Sequence, residues 1–203
     1  MQEYMNEATV RGNIASISRT ARSVDVTIVT KTNGIKNYPC INFRKDFPID
    51  DFKVGDNVTV FGYIQNHVTT RENGKMGSRV AFIGEEIFHA KRFLCDYFDD
   101  PALEDADGGF PEDRNEVVFI GDVVSLYAPK DQEFAIIKAA CNEKKHKGQC
   151  DMSCFARISA LAKRVKADDK VAMVGYLSTK TTYVSGHRVT VMDIVCRDIC
   201  KIN

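Results

Sequence analysis

The sequence predicts an all-β protein made of two copies of one small five-stranded barrel, each with at most one short helix. Three observations predict it. Two gapless self-alignments run along the 203 residues. Asn6-Glu7-Ala8-Thr9-Val10-Arg11-Gly12-Asn13-Ile14-Ala15-Ser16-Ile17 matches Asn115-Glu116-Val117-Val118-Phe119-Ile120-Gly121-Asp122-Val123-Val124-Ser125-Leu126, at an offset of 109. The stretch from Phe52 to Ile64 matches Val165 to Leu177 at an offset of 113, and one duplicated unit accounts for both. The apolar residues follow a period of two far more often than one of 3.6. Finally, the same glycines recur inside the strand patterns of both halves.

In the first half, Val24-Asp25-Val26-Thr27-Ile28 and Val58-Thr59-Val60 alternate and are rich in β-branched residues, which suits a pleated surface with one buried face. Asn73-Gly74 and Ser185-Gly186 interrupt strand patterns and each supplies a residue able to take positive φ, as a hairpin turn needs. The best helical signal is Ile158, Leu161, Ala162 and Val165, spaced i, i+3, i+4 and i+7, enough for about two turns. Gly12, Gly62, Gly121 and Gly175 sit inside strands, where glycine costs entropy and buries nothing. Long strands that bend sharply to close a small barrel use glycines or bulges at the bend. Five strands, in-strand glycines in the first and fourth, and a short helix between the third and fourth describe an OB-fold. The competing architecture is a generic small sandwich in which those glycines carry no meaning.

Composition sets the outer limits. With 44% apolar and 28% charged residues, the chain is that of a globular protein rather than a disordered one. No apolar run approaches the ~20 residues of a membrane-spanning helix. The start, Met1 to Glu7, has neither the basic residues nor the apolar stretch of a secretory signal, so a cytoplasmic location is expected. In a reducing compartment seven cysteines are expected to be free thiols. The 28 basic and 28 acidic residues cancel, but not evenly. Residues 96–114 hold eight acids against Arg114 alone, with Pro101, Gly108-Gly109 and Pro111 and no apolar period, so the segment reads as an extended linker. The expected division is a barrel domain over 1–95, an acidic linker over 96–114 and a second barrel over 115–203, both barrels mildly basic.

Both halves also resemble the bacterial and phage single-stranded DNA-binding protein family. The most specific stretch is Lys53-Val-Gly-Asp-Asn-Val-Thr-Val-Phe-Gly-Tyr-Ile, followed by Asn73-Gly-Lys-Met-Gly-Ser-Arg-Val, and the second half repeats it. Ala160-Leu161-Ala162-Lys163-Arg164-Val165 is similar to the family's short helix ahead of that strand. The resemblance implies binding of single-stranded DNA with little sequence preference, in replication, recombination or mobile-element biology. Three departures stand out. Two folds joined in one chain imply a monomer or dimer instead of the family's usual tetramer. The acidic segment is internal, where the family carries an acidic tail that recruits partner proteins. The sequence has no tryptophan, so base stacking falls to Tyr, Phe, His and Arg.

A sequence-tolerant grip on a single strand needs cations along the backbone path and flat rings for the bases. In the first half the candidates are Tyr38, Phe43, Arg44, Lys45, Tyr63, His67, Arg71, Lys75 and Arg79. In the second they are Lys144, Lys145, His146, Lys147, Phe155, Arg157, Tyr176, Lys180, Tyr183, His187 and Arg188. Tyr63 recurs as Tyr176 after a shared glycine. Each candidate has a bland counterpart: the aromatics as packing residues, and Lys144 to Lys147 as a solvated hairpin tip. The linker reads as a spacer that lets both barrels follow one strand, or as an element that docks on a partner protein or masks a basic groove.

Cys141, His146, Cys150 and Cys154 have ligand chemistry suited to zinc. Their spacing is irregular, however, and Cys150 and Cys154 would be roughly 13 Å apart along a strand. No metal or other cofactor is therefore expected. The sequence contains no P-loop, Gly-x-Ser-x-Gly elbow or His-Glu zinc motif, which argues against an enzyme. The alternative functions are a protein-interaction scaffold and an RNA-binding module.

Overall fold

The computed structural model describes residues 4–32, 34–70, 76–90, 113–184 and 187–202. The first copy contains β1 (Met5–Arg19), β2 (Ser23–Thr32), β3 (Ile35–Asn37), β4 (Cys40–Arg44), β5 (Asn57–Thr70) and β6 (Met76–His89). The second contains β7 (Arg114–Tyr127), β8 (Phe134–Cys141), β9 (Gly148–Phe155), helix α1 (Ala156–Ala162), β10 (Lys170–Val184) and β11 (His187–Ile202). In the second copy the pairing closes a ring, β7–β8–β9–β11–β10 and back to β7, antiparallel except for β9 with β11. The first copy closes the same ring through β1, β2, β4, β6 and β5, with β4 and β6 parallel. The short β3 is an addition, a hairpin on the end of β2. Closure through one parallel pair in a five-stranded Greek key is the OB-fold that the sequence predicts.

The duplication extends to single hydrogen bonds. One extra residue bulges from the first strand of each copy: Ala15 between Ile14 and Ser16, and Val124 between Val123 and Ser125. Ile14 N–H donates to Asp56 O, and Ile14 O accepts from Gly55 N–H. Val123 does the same with Asp169 and Asp168. Gly55 and Asp168 both take positive φ, 96° and 67°, a conformation that glycine adopts freely and aspartate tolerates. Asp56 and Asp169 each cap their own turn by accepting from the N–H three residues earlier, of Lys53 and Lys166. Each aspartate also meets a basic side chain from the copy's last strand, His89 at 4.0 Å and Lys201 at 2.6 Å.

The in-strand glycines have the predicted role. A methyl group at Gly12 would collide with Val29 O, at Gly62 with Ile83 O, at Gly121 with Ala140 O, and at Gly175 with Val195 O, 2.5 Å away. A neighbouring strand's carbonyl occupies the space of the missing Cβ, so strands of 14–16 residues can bend around a small core.

The inward faces follow the expected alternation: Val24, Val26 and Ile28 on β2, Ala135, Ile137 and Ala139 on β8, all fully buried. Val58-Thr59-Val60 departs from it, because Thr59 is as buried as its neighbours. Arg11 Nε donates to Thr59 Oγ1 and roofs the outer face of the strand there, and burial, with Arg114 nearby, lowers the guanidinium pKa. Helix α1 begins two residues earlier than its apolar period indicates, at Ala156. Single turns continue it to Val165 through Arg164 N–H to Leu161 O and Val165 N–H to Ala162 O. The predicted hairpin tips at Asn73-Gly74 and Ser185-Gly186 and nearly all of the acidic segment lie outside the described residues. Of that segment, Asp113 accepts from Lys31 N–H at 2.7 Å.

By their internal contacts the residues group into two compact units. One comprises 9–62 and 82–115, and the other 1–8, 63–81 and 116–203. The second barrel therefore shares its unit with the chain's start and with the outer arms of β5 and β6.

Candidate nucleic-acid interface

The geometry of greatest interest lies in the unit that holds the second barrel. Antiparallel register sets Phe134 opposite Phe155, Ile136 opposite Ser153 and Lys138 opposite Asp151 on the outward face of β8 and β9. The two phenyl rings lie 5.2 Å apart at 41°, with Phe155 half exposed. Arg157 follows, exposed, in the first turn of α1. Lys138 and Asp151 approach to 3.9 Å. This face thus offers an aromatic end and a paired-charge centre.

The β8–β9 loop carries Lys144, Lys145 and Lys147, all exposed. His146 turns the other way, and its ring stacks on Tyr63 at 4.9 Å and 16°. Asn6 fixes that arrangement from below. It is wholly buried; its Nδ2 donates to Ile64 O at 2.8 Å and to His146 O at 3.1 Å, and its Oδ1 accepts from Ile64 N–H at 3.0 Å. A buried amide with its donors and acceptor satisfied is a rigid anchor, so the lysines project from a loop whose backbone is pinned at His146.

On β10 the Tyr176 ring lies under Arg197, 4.7 Å from the guanidinium carbon. Arg197 is the extra residue of a bulge, since Val174 pairs with Asp198 and Gly175 with Cys196, and the bulge aims its side chain at the ring. Beyond it Lys180 is held by Asp193 at 2.7 Å, and Tyr183 is 73% exposed. His67 on β5 and Arg79 on β6 are exposed. In the first barrel's unit, Tyr38 lies exposed between β3 and β4, while Arg44, the last residue of β4 and 3.8 Å from Asp46, and Lys45 just after it are exposed.

Phe43 is corrected by this picture. It is 2% exposed and stacks on Phe47 at 4.3 Å, beneath β6, where Gly84 leaves room for its ring. It is a core residue, because it points inward with Ile41 on β4. Tyr63 and Tyr176 are each half-buried with one face already covered by the chain itself. The side chains of Arg71, Lys75, His187 and Arg188 lie outside the described residues. Phe134, Arg197 and His146's ring contact were not singled out by the sequence. Phe134 was legible only through its register with Phe155.

The thiols divide by strand. Cys141 on β8, Cys150 and Cys154 on β9 and Cys196 on β11 are buried, whereas Cys40 and Cys200 are exposed. Burial raises the Cys150 thiol pKa well above its usual value, and the hydrogen bond with Cys154 together with burial raises that of Cys196. Protonated thiols in an apolar interior behave as packing groups.

The chain is an OB-fold protein, with that fold built twice. No protein-family model matches its sequence, and no curated protein matches it. Solved structures do match. The wild-type single-stranded DNA binding protein from Thermus aquaticus superposes with a TM-score of 0.67 at 12% identity, over 99% of this chain and 94% of that one. A deletion variant of the same protein also gives 0.67 at 12% identity, over 100% and 97%. Similarity at that identity establishes the fold, over the whole length of the chain.

Proposed function

We propose that this chain binds single-stranded DNA with little sequence preference and protects or organises it, without catalysing a reaction. The observation that carries the reading is the pinned loop presenting Lys144, Lys145 and Lys147, in one compact unit with the outward Phe134–Phe155 pair, of which Phe155 is half exposed. Cations that meet phosphates and rings that meet bases are the two parts of a sequence-tolerant grip. The Thermus aquaticus protein with the same fold is described as single-stranded DNA binding, which supports the reading by analogy of fold.

In this reading residues 1–95 and 115–203 are the two folds and 96–114 is a spacer that lets both engage one strand, raising the effective concentration at the second site once the first is filled. The same segment offers acidic and aromatic residues to a partner protein. The assembly is a monomer or homodimer, and the site of action is the cytoplasm.

Titration of a labelled oligothymidine at several salt concentrations tests the proposal. Affinity is expected to fall steeply and linearly on a log–log scale as phosphate contacts release counterions. Absence of binding at low salt overturns it and favours a protein-interaction scaffold. Preference for the ribose analogue in competition turns the reading toward RNA.

A further inference from the structure

Beside the lysine loop, within the same compact unit, lies a cleft of about 200 Å³ lined by Gln65, Asn66, Asn142, Lys147, Gly148 and Gln149 among others. Its walls are unusually rich in carboxamides. Both Oδ1 and Nδ2 of Asn66 are buried and have no hydrogen-bond partner among the described residues. A buried amide left unpaired on both sides is costly, and such groups in native proteins call for a partner from outside the chain. The loop passes close to β5 beside the cleft: a methyl at Gly148 would sit 3.1 Å from Ile64 O and 3.4 Å from Asn6 Nδ2. The cleft is far larger than the ~30 Å³ share of a water molecule and smaller than the ~300 Å³ at which drug-sized pockets begin. That range suits one flat heterocycle.

We infer that this cleft is a subsite for a single unstacked nucleobase, with adenine preferred. A carboxamide presents one acceptor and one donor side by side, matching adenine's N6–H donor and N7 acceptor in a bidentate pair. Asn66 lies three residues beyond Tyr63 on β5, and Lys147 adjoins His146, whose ring covers Tyr63. A strand whose phosphates follow Lys144 to Lys147 passes the mouth of the cleft, which Lys147 lines, and a base swung out of the stack enters edge first and turns out the Asn66 amide, whose polar atoms are closed to solvent in the unliganded chain. Unpaired strands permit this because their bases are free to splay out. The inference rests on the single-strand binding proposed above and adds a local base preference to an otherwise sequence-tolerant grip.

The test compares a long oligothymidine with the same oligomer carrying one central deoxyadenosine, on wild type and on Asn66→Leu, which keeps the volume and removes both polar atoms. Wild type is expected to bind the adenosine-bearing oligomer about 5- to 150-fold more tightly, the discrimination of one bidentate pair. In Asn66→Leu that ratio falls to near one while the salt dependence stays the same, since no cation is removed. Should the leucine variant fail to melt cooperatively, Asn66→Ala carries the same comparison. A ratio near one in wild type, or a full ratio retained in the variants, overturns the subsite while oligothymidine binding still stands. Failure of wild type to bind either oligomer removes the underlying reading instead.

Discussion

Replacing Lys144, Lys145 and Lys147 together with glutamine isolates the electrostatic part of the proposed grip. The three side chains are exposed, and Asn6 and the His146 ring and carbonyl hold the loop in place. The variant should keep its fold and lose only charge. Each phosphate neutralised on a single strand adds about 0.7 to the slope of log affinity against log salt. Three lost contacts make the slope shallower by about 2, so the variant sheds roughly 20-fold less affinity than wild type between about 50 and 200 mM salt. Fluorescence anisotropy with a labelled oligothymidine at four or more salt concentrations measures this directly. Lys180→Gln is the control, because Asp193 already neutralises that ammonium at 2.7 Å, and its slope should change by less than one contact. An unchanged slope in a triple variant that melts like wild type would falsify the placement of the loop on the strand's path, leaving it a solvated hairpin tip.

Gly62→Ala and Gly175→Ala are each expected to destabilise by about 2–4 kcal/mol through overpacking and a displaced strand, a Tm loss on the order of 5–15 °C for a chain of this size. Exposed Thr181→Ser is expected to stay within about 0.5 kcal/mol, and equal melting points for all three would remove the close-approach argument. Phe155→Ala should leave the melting point nearly unchanged but weaken oligonucleotide binding by about 5- to 150-fold, the worth of one stacked base. Phe43→Ala should instead cost about 3–5 kcal/mol of stability as a core truncation. Calorimetry and titration on both variants check the contrast, and stability loss at Phe155 without binding loss would reverse it. The Asp169 pKa is lowered chiefly by its hydrogen bond to Lys201, so its folded value lies below its unfolded one. The resulting stabilisation is complete above the unfolded carboxylate range of about pH 4 and is lost as pH falls through the folded value. Lys201→Met should therefore show a shallower decline in urea midpoint between about pH 5 and pH 2 than wild type, and parallel declines would contradict the pairing.

The barrels were legible because closure leaves a covalent trace. A glycine where another strand's carbonyl must pass, as at Gly62 and Gly175, is needed whatever surrounds it, and the repeat showed it twice. Outward-facing chemistry leaves weaker traces. On β8 the residues Phe134, Ile136 and Ala140 face outward while Ala135, Ile137 and Ala139 face in, so both sides are largely apolar and period alone does not say which ring is exposed. Phe43 misled for the converse reason. An aromatic beside Arg44-Lys45 has the composition of a nucleotide site, yet strand parity turns the phenyl inward with Ile41 and the basic residues outward. Asn66 was invisible, because what distinguishes it is a missing partner.

The internal duplication separates what the fold demands from what it leaves free. Positions under constraint agree between copies: Gly12 with Gly121, the bulge at Ala15 with that at Val124, Asp56 with Asp169, and the parallel pair Ile41–Phe82 with Met152–Ile194. Registered the same way, the outward pair Phe134–Phe155 corresponds to Ser23–Arg44, and Ile136–Ser153 to Asp25–Asn42, which hydrogen-bond at 2.9 Å. Barrel closure requires none of these side chains, and the copies differ there, polar in the first and partly aromatic in the second. The two folds therefore carry unlike outward faces on these strands. On these paired strands the outward ring pair belongs to the second copy, while Arg44 and Lys45 give the first a cationic edge without a ring at the equivalent place. A strand engaged by both would be held by bases at one end and by phosphates at the other, so removal of Phe155 and removal of Arg44 should differ in their salt dependence, the arginine alone flattening the slope.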